Sequence, residues 1–270
     1  MTEPVPARQV PTYESQVFKP RGSSAVLIIP VINEGERLLG QLDAIAALDP
    51  PVDVVIADGG SADGSTDSAR LEPRRVRACL TKTGPGKLSA QLRMAYAWAL
   101  DQGYDAILTM DGNGKDGVDG ILSILDKLEE GYGYVQGSRY AHGGRAINTP
   151  LSRWIAGRLI HAPLISFAAR HWFTDTTNGF RGYSRAFLDD PSTRPFRDIF
   201  IKYNLLFYLS VRASQLGYKV TEVGVTRTYP DSGKVPTKIT GLSGKLDLLA
   251  ELFGAVIGLY HPKDDAKNRP

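Results

Sequence analysis

Asp111-Gly112-Asn113, delivered by the apolar run Ala106-Ile107-Leu108-Thr109-Met110, is where this chain first shows chemistry. A buried strand ending in a carboxylate and an amide offers hard oxygen ligands, which Mg²⁺ and Mn²⁺ prefer alongside phosphate oxygens. Alone the turn is ordinary, because strands commonly end in polar residues. Two further features give it context. A second apolar run, Val52 to Ala57, ends in Asp58-Gly59-Gly60-Ser61-Ala62-Asp63-Gly64-Ser65. Downstream, the stretch from Gly131 to Thr174 has no Asp or Glu but holds Arg139, Arg145, Arg153, Arg158 and Arg170. Such a tract is usually a solvated face. Placed directly after the oxygen-rich turn, it reads better as a phosphate surface, since the guanidinium fork matches phosphate oxygens.

These residues need a scaffold, and the pattern supplies one. Ala25 to Ile29, Val52 to Ala57 and Ala106 to Met110 are short continuous apolar runs, as expected of strands buried on both faces. Arg75 to Leu80 and Tyr134 to Gly137 are weaker strand candidates. Helical spacing of apolar residues follows Asn33 (Leu38, Leu42, Ile45, Leu48), recurs at Leu88, Leu92, Ala95 and Ala99, and again from about 118 to 128. Strands alternating with helices predict an α/β fold with a doubly wound, mainly parallel sheet and helices on both faces. Ligands of such sheets bind beyond the carboxyl ends of the strands, where both polar turns lie. The second half predicts helices at about 152–171, 198–215 and 242–260 and a strand from Lys219 to Val225. The last helix carries Leu242, Leu246, Leu249, Phe253, Val256 and Tyr260 on one stripe, expected to dock on the core in preference to a membrane surface.

Bulk properties bound the class. The 270 residues, 42% hydrophobic and 23% charged, fit a globular protein able to bury a substantial core. The single cysteine, Cys79, excludes an internal disulfide framework and a cysteine-rich zinc site. Four prolines and no apolar core in the first 24 residues predict a flexible arm over 1–24 and no signal peptide. No apolar window is long enough to span a bilayer. Basic and aromatic residues form no recognised nucleic-acid module, so no nucleic-acid partner is expected. Gly84-Pro85-Gly86-Lys87-Leu88-Ser89 imitates a phosphate loop, but Thr81 stands at the first glycine and Leu88 at the hydroxyl position. Lys87 is kept only as a phosphate contact.

Five segments, in order, resemble the inverting nucleotide-sugar glycosyltransferases of family 2, which have the GT-A fold. They are Ile29-Pro30-Val31-Ile32-Asn33-Glu34, the turn at 58–65, Met110-Asp111-Gly112-Asn113, Gly137-Ser138-Arg139-Tyr140 and Asn178-Gly179-Phe180-Arg181-Gly182-Tyr183. Within that family the likeness is to the polyprenyl-phosphate sugar transferases, the group of dolichyl-phosphate mannose synthase. It covers about residues 25–240, expected to form the GT-A domain, with 241–270 as an amphipathic helix and tail. The resemblance implies that Pro30, Asn33, Glu34, Asp58 and Gly112 line the nucleotide pocket and that Asp111 with Asn113 holds Mg²⁺ or Mn²⁺. It implies that Arg139 and Arg153, or Arg158 in its stead, hold the acceptor phosphate. Arg181, with Asp175, braces the acceptor side and joins Asp111 and Arg139 as the expected catalytic set. Lys234 and Lys238, with Arg227, resemble a basic loop closing over the diphosphate. Asp63 is expected to be a turn former.

The chain departs from the pattern in three places. Asn113 stands where the metal motif normally has a second carboxylate, Lys115 stands where a further metal-side ligand is expected, and Gly59 follows Asp58 where many relatives have a second aspartate. An amide oxygen still coordinates these ions, with less charge. The stretch Ser192 to Thr221 has one acidic residue, Asp198, and Tyr208 stands about where the group often has glutamate. A hydroxyl acceptor needs a carboxylate base; a phosphate is already a nucleophile at neutral pH. The resemblance implies a UDP- or GDP-sugar donor, and the missing base with the basic tract makes a polyprenyl phosphate the expected acceptor. The expected location is cytoplasmic, as a peripheral protein on the inner face of a membrane. Two rivals stand beside this reading. One is transfer to a glycan hydroxyl; the other is a degenerate nucleotide-sugar binding module without turnover.

Overall fold

A computed structural model describes residues 7–231 and 241–262, the side chains of 241–243 and 245 excepted. The chain begins with β1 (Tyr13–Val17) and β2 (Ala25–Val31), then α1 (Glu36–Leu48), β3 (Asp53–Asp58), the short α2 (Ser68–Leu71) and β4 (Val76–Lys82). It continues through α3 (Leu88–Asp101), β5 (Ala106–Thr109), α4 (Gly120–Glu129), β6 (Tyr134–Ser138) and β7 (Arg145–Ile147). Next come α5 (Leu151–Ile155) and α6 (Ala162–Ala169), joined by a π-helical stretch at Ala156–His161. Then follow β8 (Arg181–Ser184), α7 (Arg185–Asp189), α8 (Asn204–Gln215), β9 (Val220–Gly224), β10 (Thr226–Thr228) and α9 (Gly241–Val256).

Eight strands form one sheet in the order β1-β4-β3-β2-β5-β8-β6-β9. The run β4-β3-β2-β5 is parallel, as the continuous apolar strands predicted. Side chains alternate across it: Val26 and Ile28 face one helical layer, Leu27 and Ile29 the other. The first layer contains α3, α6, α8 and α9; the second contains α1 and α4.

Four sequence expectations change. The segment read as a flexible arm contains β1, which pairs antiparallel with β4 from Tyr13↔Lys82 to Val17↔Ala78 and so covers an otherwise open edge. Helix α3 is buried nearly all round rather than along one stripe, because it lies between the sheet and α8. The helix expected from 198 starts only at Asn204. The stripe expected on the last helix is split: Leu252 and Ala255 reach the core, while Leu246 and Phe253 face outward.

One strand was invisible as a strand and decides the site. Arg181–Ser184 is β8, inserted antiparallel between β5 and β6, with Thr109 opposite Arg181. Because β8 runs against β5, the segment entering β8 arrives at the same edge where β5 delivers Asp111.

Candidate active site

Asp111 sits just past β5, with its side chain 28% exposed. Gly112 donates its backbone N–H to the Pro30 carbonyl at 3.4 Å, tying the turn to the end of β2. A Cβ at Gly112 would lie 2.5 Å from Val31, so this position admits no side chain. A Cβ at Gly179 would lie 2.2 Å from Asp111 Oδ1, which explains the glycine after Asn178: only bare backbone leaves room for the carboxylate. Asn113 Nδ2 lies 3.5 Å from Asp111 Oδ2, and its Oδ1 accepts from Lys115 N at 3.3 Å.

Arg227 organises this edge. It donates to Asp111 Oδ2 at 3.0 Å, to Asp116 Oδ2 at 2.5 Å and to Asn178 Oδ1 at 3.2 Å. Burial alone would depress its pKa, but the Asp116 and Asp111 carboxylates outweigh that and hold it above the ordinary value. Burial pushes Asp116 up, with Arg227 pulling it down, and the net is a raised pKa. Arg227 therefore belongs to β10 and the site floor, not to a mobile loop, and Asp116 is spent on it rather than free for a metal. A cue was present in the sequence. Val223, Val225, Arg227 and Tyr229 alternate with period two and are all buried, so the strand pattern itself turned Arg227 inward.

The arginines expected on the acceptor side divide. Arg139 is buried and grips Asp175 with Nε at 2.7 Å and Nη2 at 3.0 Å, adding Thr177 Oγ1 at 2.6 Å. Burial would lower its pKa, yet Asp175 holds it above normal; reciprocally Arg139 overcomes the effect of burial and keeps Asp175 low. With Nε and Nη2 on Asp175, Arg139 holds the 174–177 loop in place. Arg181 braces the same loop, without pairing with Asp175. It is fully buried and donates to the carbonyls of Thr176, Asn178 and Leu206 and to Ser210 Oγ, clamping that loop to α8. Glu222, unnoticed in the sequence, accepts from Thr174 N and Oγ1 and Asp175 N on the loop's other side.

Arg153 and Arg158 are partly exposed. The Arg153 guanidinium lies 5.5 Å from the Tyr229 ring centroid, and no carboxylate pairs with it among the described residues. Arg158 lies 4.9 Å over Tyr140 and donates to Thr174 O at 3.1 Å. Tyr229, also missed by the sequence reading, is ringed by Lys115 at 5.3 Å, Arg153 and Arg227 at 5.8 Å. Its pKa falls below the ordinary value because Arg227, Arg139 and Arg153 more than offset its burial.

The edge beyond β2 and β3 is built from interlocked turns. Asp58 is buried and its carboxylate accepts from Ser61 N at 2.9 Å and Ser61 Oγ at 2.7 Å, so it shapes its own turn. Asn33, at φ 51°, accepts from Ala62 N at 2.8 Å, and Asp63 accepts from Gly35 N and Ser65, behaving as the turn former expected. Glu34 pairs with Arg37 at 2.8 Å. Lys87, exposed at the start of α3, lies in the field of Asp247 on α9. Lys234 and Lys238 lie outside the described residues.

The donor set can be tested against a divalent ion. No cluster of three or more His, Cys, Asp or Glu exists among the described residues. Asp111 is nevertheless partly open and Asn113 adjoins it, and Mg²⁺ typically takes one or two protein oxygens plus substrate phosphates. The residues fit such an ion, with Arg227 already drawing on one of the Asp111 oxygens.

A mixed sheet of this order, with an aspartate turn at the carboxyl edge of its parallel half, defines a GT-A glycosyltransferase. Residues 26–191 match the family model described as Glycosyl transferase family 2, and the chain belongs to that family. Polyprenol monophosphomannose synthase of Mycolicibacterium smegmatis is 28% identical over 214 residues, covering 77% of this chain and 78% of that protein. Undecaprenyl-phosphate mannosyltransferase of Micrococcus luteus is 29% identical over 226 residues, covering 79% and 86%. Glucosyl-3-phosphoglycerate synthase of Mycobacterium tuberculosis, solved with Mg²⁺ and uridine-diphosphate, superposes at TM-score 0.60 with 18% identity, covering 87% of this chain and 80% of that one. That likeness is one of fold.

Proposed function

We propose that the protein transfers a sugar, with inversion, from a UDP- or GDP-sugar to the phosphate of a polyprenyl phosphate. One observation carries the reading: Arg153, which has no carboxylate partner among the described residues, lies where the Asp111 edge meets an exposed apolar rod. Along α5, the π stretch and α6, Leu151, Trp154, Ile155, Leu159 and Phe167 face outward, Phe167 being 82% exposed, and Trp172 follows at 70%. Apolar area of this extent on one face marks an interaction surface. Exposed apolar side chains flanked by tryptophans and arginines suit the headgroup boundary of a bilayer. A prenyl tail held in lipid and a phosphate at Arg153 fit the two sides of this junction. No helix among the described residues is long and apolar enough to cross a membrane; the contact proposed is made by this exposed face.

In this reading an oxygen of the acceptor phosphate attacks the anomeric carbon from the side opposite the diphosphate. The new C–O bond forms as the bond to the β-phosphate oxygen breaks, and the nucleoside diphosphate leaves with that electron pair. A phosphate monoester is already anionic at neutral pH, so no proton must be removed. The surrounding described carboxylates agree: Asp111, Asp116 and Asp175 are in ion pairs and Glu222 is capped by amides of the 174–175 segment. Asp111 and Asn113 would hold Mg²⁺ or Mn²⁺, which when bound offsets charge gathering on the departing diphosphate. Pro30, Asn33, Glu34 and the Asp58 turn shape the nucleotide side, and Lys87, Lys234 and Lys238 are assigned to its phosphates. The sugar homologues named for mannose transfer make a mannosyl donor the first to try.

The test is incubation of the full chain with labelled UDP- and GDP-hexoses, undecaprenyl phosphate in vesicles, and a panel of saccharides. Label entering the lipid phase supports the reading. Label appearing only in saccharide would move the acceptor to a hydroxyl, and nucleotide binding without any transfer would leave a module without turnover.

A further inference from the structure

Lys115 has no function in the account above, yet its placement is specific. Its backbone is fixed on both sides, with Thr228 N donating to Lys115 O at 2.8 Å and Lys115 N donating to Asn113 Oδ1 at 3.3 Å. Its side chain is only 8% exposed, and the ammonium stands 5.3 Å from the Tyr229 ring centroid. Arg153 and Arg227 flank the same ring, so the lysine has like charges for neighbours. The nearby carboxylates do not answer it. Asp111 and Asp116 both pair with Arg227, and among the described residues none pairs with Lys115 or Arg153. Lys115, Arg153 and Arg227 thus share two carboxylates, both taken by Arg227, and buried cations short of counter-charge are costly until an anion joins them. Meanwhile the metal position is poor in charge: Asn113 is neutral and one Asp111 oxygen is shared with Arg227.

We propose that Lys115 is a phosphate-binding residue that takes an oxygen of the donor's diphosphate and supplies charge there, so that nucleoside diphosphate binding survives removal of divalent metal. This rests on the donor-site reading above and adds to it a second source of positive charge. The Tyr229 ring supports the ammonium by cation–π attraction while leaving its N–H groups free to donate. A charge-assisted contact of this kind is worth about tenfold in affinity.

The experiment is calorimetric titration of UDP and GDP into the full chain, in excess EDTA and in Mn²⁺, with wild type, Lys115→Met and Lys115→Arg. Methionine keeps the length and packing of the side chain and removes its charge; thermal melts establish that each variant is folded. Wild type is expected to bind one nucleotide in EDTA, Lys115→Met to bind about tenfold more weakly there but nearly as well in Mn²⁺, and Lys115→Arg to resemble wild type. Wild-type binding that vanishes in EDTA, or Lys115→Met unchanged in EDTA, overturns the proposal. A loss seen only with geranyl phosphate, with nucleotide binding intact, overturns the donor assignment. If neither nucleotide binds even in Mn²⁺, the donor-site reading itself fails, and this inference with it.

Discussion

Replacing Arg227 with leucine should expose how the site floor is held. Asp116 is wholly buried; its Oδ2 accepts from Arg227 at 2.5 Å and its Oδ1 has no hydrogen-bond partner among the described residues. Among the described residues no other group pairs with that carboxylate, and Arg139 acts on it only at longer range. Breaking a buried pair by removing one partner costs about 3–5 kcal/mol, and Arg227 also leaves Asp111 without its partner. In a chain of this size that corresponds to a melting temperature lower by about 6 °C or more. The deficit should depend on pH. The folded pKa of Asp116 is already raised by burial against the opposing pull of Arg227, and loss of Arg227 raises it further. A carboxyl whose folded pKa exceeds its unfolded value, about 3.9, costs stability as pH climbs from the unfolded value through the folded one. The variant should therefore approach wild type near pH 4 and fall furthest behind at neutrality. Urea unfolding followed by far-UV circular dichroism across pH 4–8 measures this directly. Adding Asp116→Leu to Arg227→Leu should restore most of the neutral-pH loss. A deficit below about 1 kcal/mol, or one that does not change with pH, would refute the assignment of Asp116 as a buried charge dependent on Arg227.

Three other outcomes are expected. Gly179→Ala places a methyl against Asp111 and should lower transfer at least about tenfold while moving the melting temperature little; unchanged kcat/KM would show that the Asp111 geometry is not critical. Arg139→Ala should lose about 3–5 kcal/mol of stability and weaken donor and acceptor kinetics together, because it strands Asp175. A selective rise in acceptor KM on a stable fold would return Arg139 to direct phosphate binding. Leu159→Glu with Phe167→Glu should abolish sedimentation with anionic vesicles while nucleotide titration stays unchanged, since both side chains lie on the outer apolar face; undiminished vesicle binding would remove that face from the membrane contact.

Much of the fold was readable because it rests on local periodicity. Continuous apolar runs gave β2, β3 and β5, and residues spaced by helical turns gave α1 and α4, since burial on two faces or one dictates those patterns directly. The turns at 58–65 and 111–113 were legible for the same reason: they are short segments whose glycines and aspartates act on their own neighbours, as Asp63 does on Ser65. Partnerships between distant residues were not legible. Arg139 and Arg181 are both arginines near a motif, and nothing local distinguishes a ligand from a brace. Only β8, running antiparallel beside β5, carries Asp175 to Arg139, Gly179 to Asp111 and Arg181 beneath α8. Arg227 was hidden similarly, although its alternation with Val223 and Val225 pointed inward; its partners lie 111 and 116 residues away. The sequence by itself determined the layers, the polar turns and the family-like order of motifs, because these follow from nearest-neighbour chemistry. The tertiary structure alone decided which charges neutralise each other and which, like Lys115 and Arg153, pair with no carboxylate among the described residues, because ion pairing depends on distances set by strand order.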